Sequence, residues 1–309
     1  MANTQPNHPA QAITGAAFVV LSAVAFSSKA VMVKLAYAYD VDVETLLVLR
    51  MAFAAPFYLA IATWLYFAGK VEHLERRDLL AIVLLGSVGG YLPMWLDFSG
   101  LAYVSAGLER IILFLYPTMV VLISAMLFGR AIGRQEVVAL LLCYAGAAVA
   151  AGGDVLAVGQ LTSRIALGAG LIFASALTYA GYLVASGRLI PKLGVLPFTA
   201  CIMLVASMTA TGHYLAIPHQ TALTGLPGNV YGIALLMAVV ATVLPSFLLS
   251  AGIHRIGSSR AAMLGMAGPV STILLAYLFL GEAVTPPQLA GTALVIAGVL
   301  AITPRSRSR

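Results

Sequence analysis

Six ionisable side chains lie within stretches that are otherwise apolar, and they are the strongest candidates for chemistry. They are Lys29, Lys34, Arg50, Asp97, Glu109 and Arg110. Charged groups inside a bilayer are costly, so they line an internal cavity, pair with one another or reach the headgroups. For Lys34, Arg50 and Arg110, reaching the headgroups is as good an explanation as an internal role. Lys29 and Asp97 lie deeper in their stretches, which favours an internal polar cluster.

A carboxylate in such a cluster could bind and release a proton. Glu109 is followed by Arg110, but successive residues of a helix point in different directions, so that pairing is not favoured. Asp97, with Lys29 as its partner, is therefore the favoured proton-binding group, and protons are a candidate coupling ion. The alternative is a permanent Lys29–Asp97 structural pair in a carrier that uses no ion gradient.

Aromatic residues add a second set of candidates for the wall of a cavity. Tyr91 and Trp95 lie four residues apart close to Asp97, and Tyr179 and Tyr182 are one helical turn apart in a later apolar stretch. An interfacial belt and ordinary packing are the alternative explanations. A pocket that combines aromatic faces with a few polar groups suits small amphipathic metabolites or organic cations.

Enzymatic chemistry is not indicated. The sequence has no HExxH, GxSxG or GxxxxGK[ST] motif, and its five histidines lie in a terminal segment, in loops or near the ends of apolar stretches. We therefore predict no metal, no cofactor and no nucleotide-driven work. A membrane enzyme and a non-transporting receptor or assembly subunit remain alternatives to a transporter, but neither needs the duplicated architecture described next.

The composition identifies an integral membrane protein. Of 309 residues, 61% are hydrophobic and only 9% are charged, whereas soluble domains have about 25% charged residues. The net charge of +6 is spread over short loops, so it does not indicate nucleic-acid binding. Apolar stretches of about 20 residues predict ten transmembrane helices. They lie at 13–36, 45–67, 79–101, 105–127, 134–152, 166–186, 195–216, 230–253, 258–280 and 286–303.

The ten predicted spans divide into two copies of five. Shifting the sequence by 152 positions aligns Pro93 with Pro245 and Pro117 with Pro269, together with three glycine pairs. Five spans per copy would insert the second copy upside down, and paired interrupted helices indicate a central transport site. The fold expected is therefore all-α, with two inverted five-helix repeats around a central cavity. The four prolines are candidate hinges, and packing is the alternative role.

The distribution of Lys and Arg predicts the orientation. With the N-terminus inside, most basic residues fall in cytoplasmic segments, and acidic residues dominate the opposite side. We expect a multi-pass protein of a bacterial-type inner membrane with both termini cytoplasmic. The expected organisation is a tail at 1–12, repeats at 13–152 and 166–303, and a basic tail at 304–309.

Two segments resemble a known family. The run GPVSTILLAYLFLGEAVTPPQLAGTALVIAGVL begins at Gly268, and YPTMVVLISAMLFG extends from Tyr116 to Gly129. Both resemble EamA domains of the drug/metabolite transporter superfamily, and Lys34 and Arg50 match the basic pair usual in that family. Arg130 stands where the family glutamate, kept as Glu282 in the second copy, is expected.

The resemblance implies two tandem EamA repeats, a ten-helix fold with a central cavity and an alternating-access cycle. Together with the cavity candidates, it predicts a secondary transporter, of the exporter type by analogy, for small amino-acid-like or amphipathic metabolites. A facilitative uptake carrier of the same fold is the alternative.

Overall fold

A computed structural model describes residues 9–69, 75–104, 109, 112–113, 115–129, 132–158, 163–218, 221–265, 268–280 and 286–302. The regular elements in these ranges are helical. They are α1 (Pro9–Tyr37), α2 (Val43–Phe67), α3 (Arg76–Leu101), α4 (Tyr116–Phe128), α5 (Arg134–Val158), α6 (Ser163–Leu193), α7 (Val195–Ala216), α8 (Gly228–Ile256), α9 (Ser258–Leu264), α10 (Gly268–Leu280) and α11 (Pro286–Ile302).

Six helices in the described ranges are long and apolar enough to cross a membrane, namely α1, α2, α3, α6, α7 and α8. The span predicted at 105–127 is represented by α4, because most residues before Leu115 lie outside the described ranges. The span predicted at 258–280 is divided between α9 and α10. Large apolar side chains such as Trp64, Phe67 and Met126 are exposed, as expected of a surface that faces lipid.

Helices α3 and α8 are interrupted in the same way. Each contains a π-helical segment, Leu85–Tyr91 in α3 and Val239–Val243 in α8. In each case the α-helix resumes one residue before a proline, Pro93 or Pro245. Proline removes a backbone N–H and its ring clashes with the preceding turn, and π-helical turns inside α-helices are frequent at functional sites. The two halves of the chain therefore share the same helix distortion as well as the same proline and glycine spacing.

The packing between the halves is reciprocal. The second helices of the two halves pack together, as α2 with α7, and so do the last helices, as α5 with α11. The first helix of each half packs on the third helix of the other, as α1 with α8 and α6 with α3. Exchanging the halves maps each of these contacts onto itself or onto its counterpart.

Close approach of backbones at glycine makes the reciprocal crossings possible. A Cβ atom on Gly100 of α3 would lie 2.5 Å from Ile172 Cγ1 and 3.0 Å from Gly168 O in α6. At the matching crossing, a Cβ on Gly252 of α8 would overlap Val19 of α1. Small residues allow membrane helices to associate through close packing, and these glycines hold the two halves together.

Candidate functional site

A cavity of about 160 Å³ lies between the two halves of the chain. Residues of α1, α2 and α3 line it from the first half, and residues of α6, α7 and α8 line it from the second. The walls are mostly apolar. The polar side chains among them include Ser22, Ser27, Lys29, Arg50, Asp97, Tyr116, Ser175, Tyr179, Tyr182, Thr242 and Ser246. At 10–15 Å³ for each water-sized group, the cavity holds on the order of ten such groups.

Lys29 and Asp97 form an ion pair at the cavity wall. Lys29 Nζ contacts Asp97 Oδ2, and Asp97 is buried. Glu109 lies behind this pair, fully buried, with its Oε1 3.6 Å from Lys29 Nζ. The structure thus brings together three of the ionisable residues singled out in the sequence. Arg110 lies outside the described residues.

Arg50 is buried in the protein interior and does not reach a headgroup region. Its side chain in α2 is 1% exposed and lines the same cavity. Nε donates to Thr242 Oγ1 at 2.6 Å and Nη2 donates to the Ala241 carbonyl at 3.3 Å, both in the π-helical segment of α8. The guanidinium carbon lies 5.4 Å from the centroid of Phe98, a distance at which a cation interacts favourably with a ring.

Lys34 has a different environment. Its Nζ donates to the carbonyls of Leu101 at 3.2 Å and Val104 at 3.3 Å, which lie at and just beyond the C-terminus of α3. A cation at this position satisfies carbonyls left unpaired by the helix end and interacts well with its dipole. Lys34 therefore secures α1 to the end of α3 and lies outside the cavity wall.

The aromatic candidates separate into two groups. Tyr179 and Tyr182 line the cavity and stack on each other with ring centroids 6.0 Å apart. Tyr116 extends this group, because its ring lies edge-on to Tyr179 at 5.2 Å. Tyr116 is anchored by a hydrogen bond of 3.1 Å from its hydroxyl to the Ala262 carbonyl. One wall of the cavity is therefore aromatic.

Tyr91 and Trp95 belong to a separate polar cluster rather than to the cavity wall. The Tyr91 hydroxyl lies 2.5 Å from His213 Nδ1, and Trp95 is edge-on to the same imidazole at 5.2 Å. Trp95 Nε1 also donates to Glu44 Oε1 at 3.2 Å. Because Trp95 and Asp97 are two residues apart on a helix, their side chains point in different directions.

The four proposed hinge prolines occupy paired positions. Pro93 and Pro245 follow the π-helical segments, and their carbonyls accept hydrogen bonds from serines across the reciprocal crossings, Ser175 at 2.7 Å and Ser22 at 2.8 Å. Pro117 and Pro269 are each the second residue of their helix, α4 and α10. Helix distortions thus lie directly before Pro93 and Pro245, whereas proline in the first turn of α4 and α10 interrupts no backbone hydrogen bond. The hinge role of the four prolines stays a prediction.

Sequence reasoning did not place Arg50, Tyr116, Thr242 or the paired serines in the cavity. The sequence did contain a signal for the serines, because the spacing between Ser22 and Ser175 is nearly the spacing of the repeat. No comparable signal marked Thr242, because its contact with Arg50 joins residues that are distant in the sequence.

The arrangement can bind a small solute in a cavity whose lining includes both aromatic rings and charged groups. The two cations share one ring, because Lys29 Nζ lies 5.8 Å and the Arg50 guanidinium 5.4 Å from the Phe98 centroid. Across the described ranges, no three His, Cys, Asp or Glu side chains form a group that could hold a metal ion.

Comparisons with known proteins agree with this architecture. The uncharacterised transporter YcbK of Bacillus subtilis (strain 168) is 34% identical over 275 residues, which cover 88% of this chain and 87% of that protein. The uncharacterised transporter YyaM of the same organism is 24% identical over 226 residues, or 73% of each chain. A protein of known crystal structure shares the fold, with a TM-score of 0.75 and 19% identity over 95% of this chain and 98% of that one.

The EamA-like transporter family matches the chain twice, over residues 13–152 and 166–303. The two matches cover most of the chain and support a multi-pass membrane transporter of the drug/metabolite type. The chain belongs to the EamA-like transporter family.

Proposed function

We propose that this protein is a secondary transporter that moves a small organic metabolite through the central cavity by alternating access. The observation that carries the proposal is the cavity itself. Both halves contribute to it, its walls are apolar and aromatic, and the buried Arg50 and Asp97 line it together with the partly buried Lys29. Such a combination of an apolar pocket with a few convergent polar groups is typical of a ligand site.

The architecture supports alternating access in two ways. The reciprocal packing of α1 on α8 and of α6 on α3 offers two equivalent interfaces along which the halves could rock. The bounds of α4 and α10, Tyr116–Phe128 and Gly268–Leu280, correspond residue for residue at the repeat spacing. These features favour ten spans as two inverted repeats. The distribution of Lys and Arg favours both termini in the cytoplasm of a bacterial-type cell.

We propose export as the direction, by analogy with the family, and proton coupling as the energy source. The ion pair of Lys29 with Asp97 lines the cavity, so a change in access would change the surroundings of the carboxylate. A facilitative carrier with a permanent Lys29–Asp97 pair is the second candidate, because that pair is well formed and buried.

A cavity-filling variant tests the transport proposal. Ala23 lines the cavity, whereas Val24, the next residue of α1, is 42% exposed on the outer surface. We expect Ala23→Trp to abolish transport because the indole fills the space for solute, and Val24→Trp to leave transport unchanged.

The assay has two stages. Culture media from overexpressing and deletion cells identify the compounds whose extracellular amounts change, and those compounds are then used in counterflow with proteoliposomes. Equal flux in both tryptophan variants, with both proteins correctly inserted, would rule out this cavity as the route. Absence of any flux or any difference between the media would contradict transport itself.

A further inference from the structure

We propose that Arg50 is the anion-binding residue of the transport site and that the transported compound carries a single carboxylate, which Arg50 Nη1 binds. This inference rests on the proposed function, since it names the substrate class of the same cavity. It depends first on the environment of the Arg50 side chain.

The Arg50 guanidinium is only partly satisfied by the protein. Nε and Nη2 donate to Thr242 and Ala241, but Nη1 is buried and has no hydrogen-bond partner. Across the described part of the chain, the ion pairs involve Lys29 and Lys192, and no carboxylate lies within 4.0 Å of Arg50. A buried donor without an acceptor is costly.

The position of this unsatisfied group points to a ligand. Arg50 lines the cavity, and its guanidinium is held there on two sides, by the hydrogen bonds to α8 and by the ring of Phe98. The orientation of the guanidinium is therefore fixed before any solute binds, which lowers the entropic cost of binding. Thr242 is equally buried, so the guanidinium cannot move away without leaving Nε unpaired.

The chemistry of the available donors selects the anion. Nη1 carries two N–H groups, which can donate to one carboxylate, while Nε is already used. Guanidinium and carboxylate form charge-assisted hydrogen bonds that are about twice as strong as neutral ones. One guanidinium nitrogen with two free N–H groups matches a monoanion, whereas a phosphate dianion would require a second free cation. Lys29 does not supply it, because it is paired with Asp97.

The remaining cavity suits the rest of such a molecule. Tyr179, Tyr182 and Tyr116 line another part of the wall, and the volume of about 160 Å³ limits the solute to on the order of ten non-hydrogen atoms. A small carboxylate with an apolar or aromatic body would satisfy Nη1 with its charged end and contact the aromatic wall with its body.

Counterflow in proteoliposomes tests the assignment with three probes: a mixture of labelled monocarboxylates of up to about ten non-hydrogen atoms, the corresponding primary amides, and inorganic phosphate. We expect the wild-type protein to transport members of the carboxylate mixture and neither the amides nor phosphate. Amide transport equal to carboxylate transport would overturn the proposal. Transport of phosphate alone would also overturn it, because the bound anion would then be phosphate and not a carboxylate.

Variants of Arg50 then test the residue. Arg50→Gln keeps amide donors for Thr242 and Ala241 but removes the charge, and it should raise the half-saturation concentration for the carboxylate by about 30-fold or more. Arg50→Lys keeps the charge and should retain the preference for carboxylate over amide. An unchanged half-saturation concentration in Arg50→Gln would contradict the role of Arg50.

The outcomes separate this inference from the proposed function. If Arg50→Gln does not fold, the wild-type preference among the three probes still decides the substrate class. If the wild-type protein transports only uncharged compounds found in the culture media, transport stands and the anion site is refuted. If it transports nothing, the proposed function fails and the anion site fails with it.

Discussion

Adding one methyl group at Gly100 should destabilise the protein, because this glycine lies where α3 crosses α6. The Cβ of Gly100→Ala would lie 2.5 Å from Ile172 Cγ1 and 3.0 Å from the Gly168 carbonyl oxygen. Contacts under 3.0 Å are not tolerated, and the carbonyl belongs to backbone that cannot rotate away. Either Ile172, which is fully buried, or the whole of α6 must shift.

The expected magnitude follows from the cost of overpacking. Inserting a methyl group into a well-packed interior costs about 1–3 kcal/mol. That corresponds to roughly five- to 150-fold in the unfolding equilibrium constant. Gly170 of α6 provides the matched control, since a Cβ there would have no atom within 4 Å. Gly170→Ala should be neutral, or stabilising by up to about 1 kcal/mol, because alanine is the better helix former.

A double-mutant cycle shows whether the clash is the cause. Ile172→Ala removes the Cγ1 and Cδ1 atoms that the new methyl group would meet, and by itself it should cost about 2–5 kcal/mol. In the Gly100→Ala background its cost should fall by about 1–2 kcal/mol, within the range for residues in contact. The added methyl group then occupies space that Ile172 has left.

Reversible unfolding in mixed detergent micelles, followed by circular dichroism, measures these differences. Additive effects of Gly100→Ala and Ile172→Ala, within about 0.5 kcal/mol, would show that the two side chains do not meet. A Gly170→Ala variant as unstable as Gly100→Ala would show that any methyl group on these helices is harmful. Either result would refute the packing described at this crossing.

Three further predictions concern topology and mechanism. A reporter fused after Arg309 should be active in the cytoplasm and a tag in the 154–165 region should be reached from outside, because basic residues favour the inner side; a C-terminus outside would overturn the orientation. Pro117→Ala or Pro269→Ala should slow flux in proteoliposomes while insertion stays normal, because proline fixes the backbone where α4 and α10 begin; undiminished flux in both would leave the prolines a packing role. Asp97→Asn should still exchange substrate at equal pH on both sides but lose accumulation driven by a proton gradient; a wild-type protein that ignores an imposed proton gradient would exclude this coupling.

The helices could be anticipated from the sequence because the bilayer constrains local sequence strongly. Backbone groups in lipid must be satisfied within the segment, so long apolar stretches become helices wherever they occur. Helices α2 and α7 begin and end close to the spans predicted at 45–67 and 195–216. The end of α9 at Leu264, within the span predicted at 258–280, was not anticipated, because hydropathy is averaged over many residues and does not locate a helix end.

The π-helical segments were indicated only indirectly. The paired prolines marked the places where α3 and α8 would be distorted, and the distortions lie directly before Pro93 and Pro245. Whether a proline produces a kink or a widened turn depends on tertiary contacts at that point of the helix. Here Ser175 and Ser22 reach across from other helices to the proline carbonyls, and the sequence pattern does not show these contacts.

The sequence by itself determined the membrane class, through composition and hydropathy, and indicated the internal repeat, through the spacing of proline and glycine. It also indicated the family, through the resemblance of two segments to EamA domains. The tertiary structure decided which polar residues meet. Lys29 contacts Asp97, Arg50 is buried against Thr242, and Trp95 turns away from the cavity toward His213. The physical reason is that a charged or aromatic side chain on a helix has the same local sequence signal whether it faces lipid headgroups or the interior. Only the rotation of each helix against its neighbours distinguishes the two environments, and distant residues set that rotation.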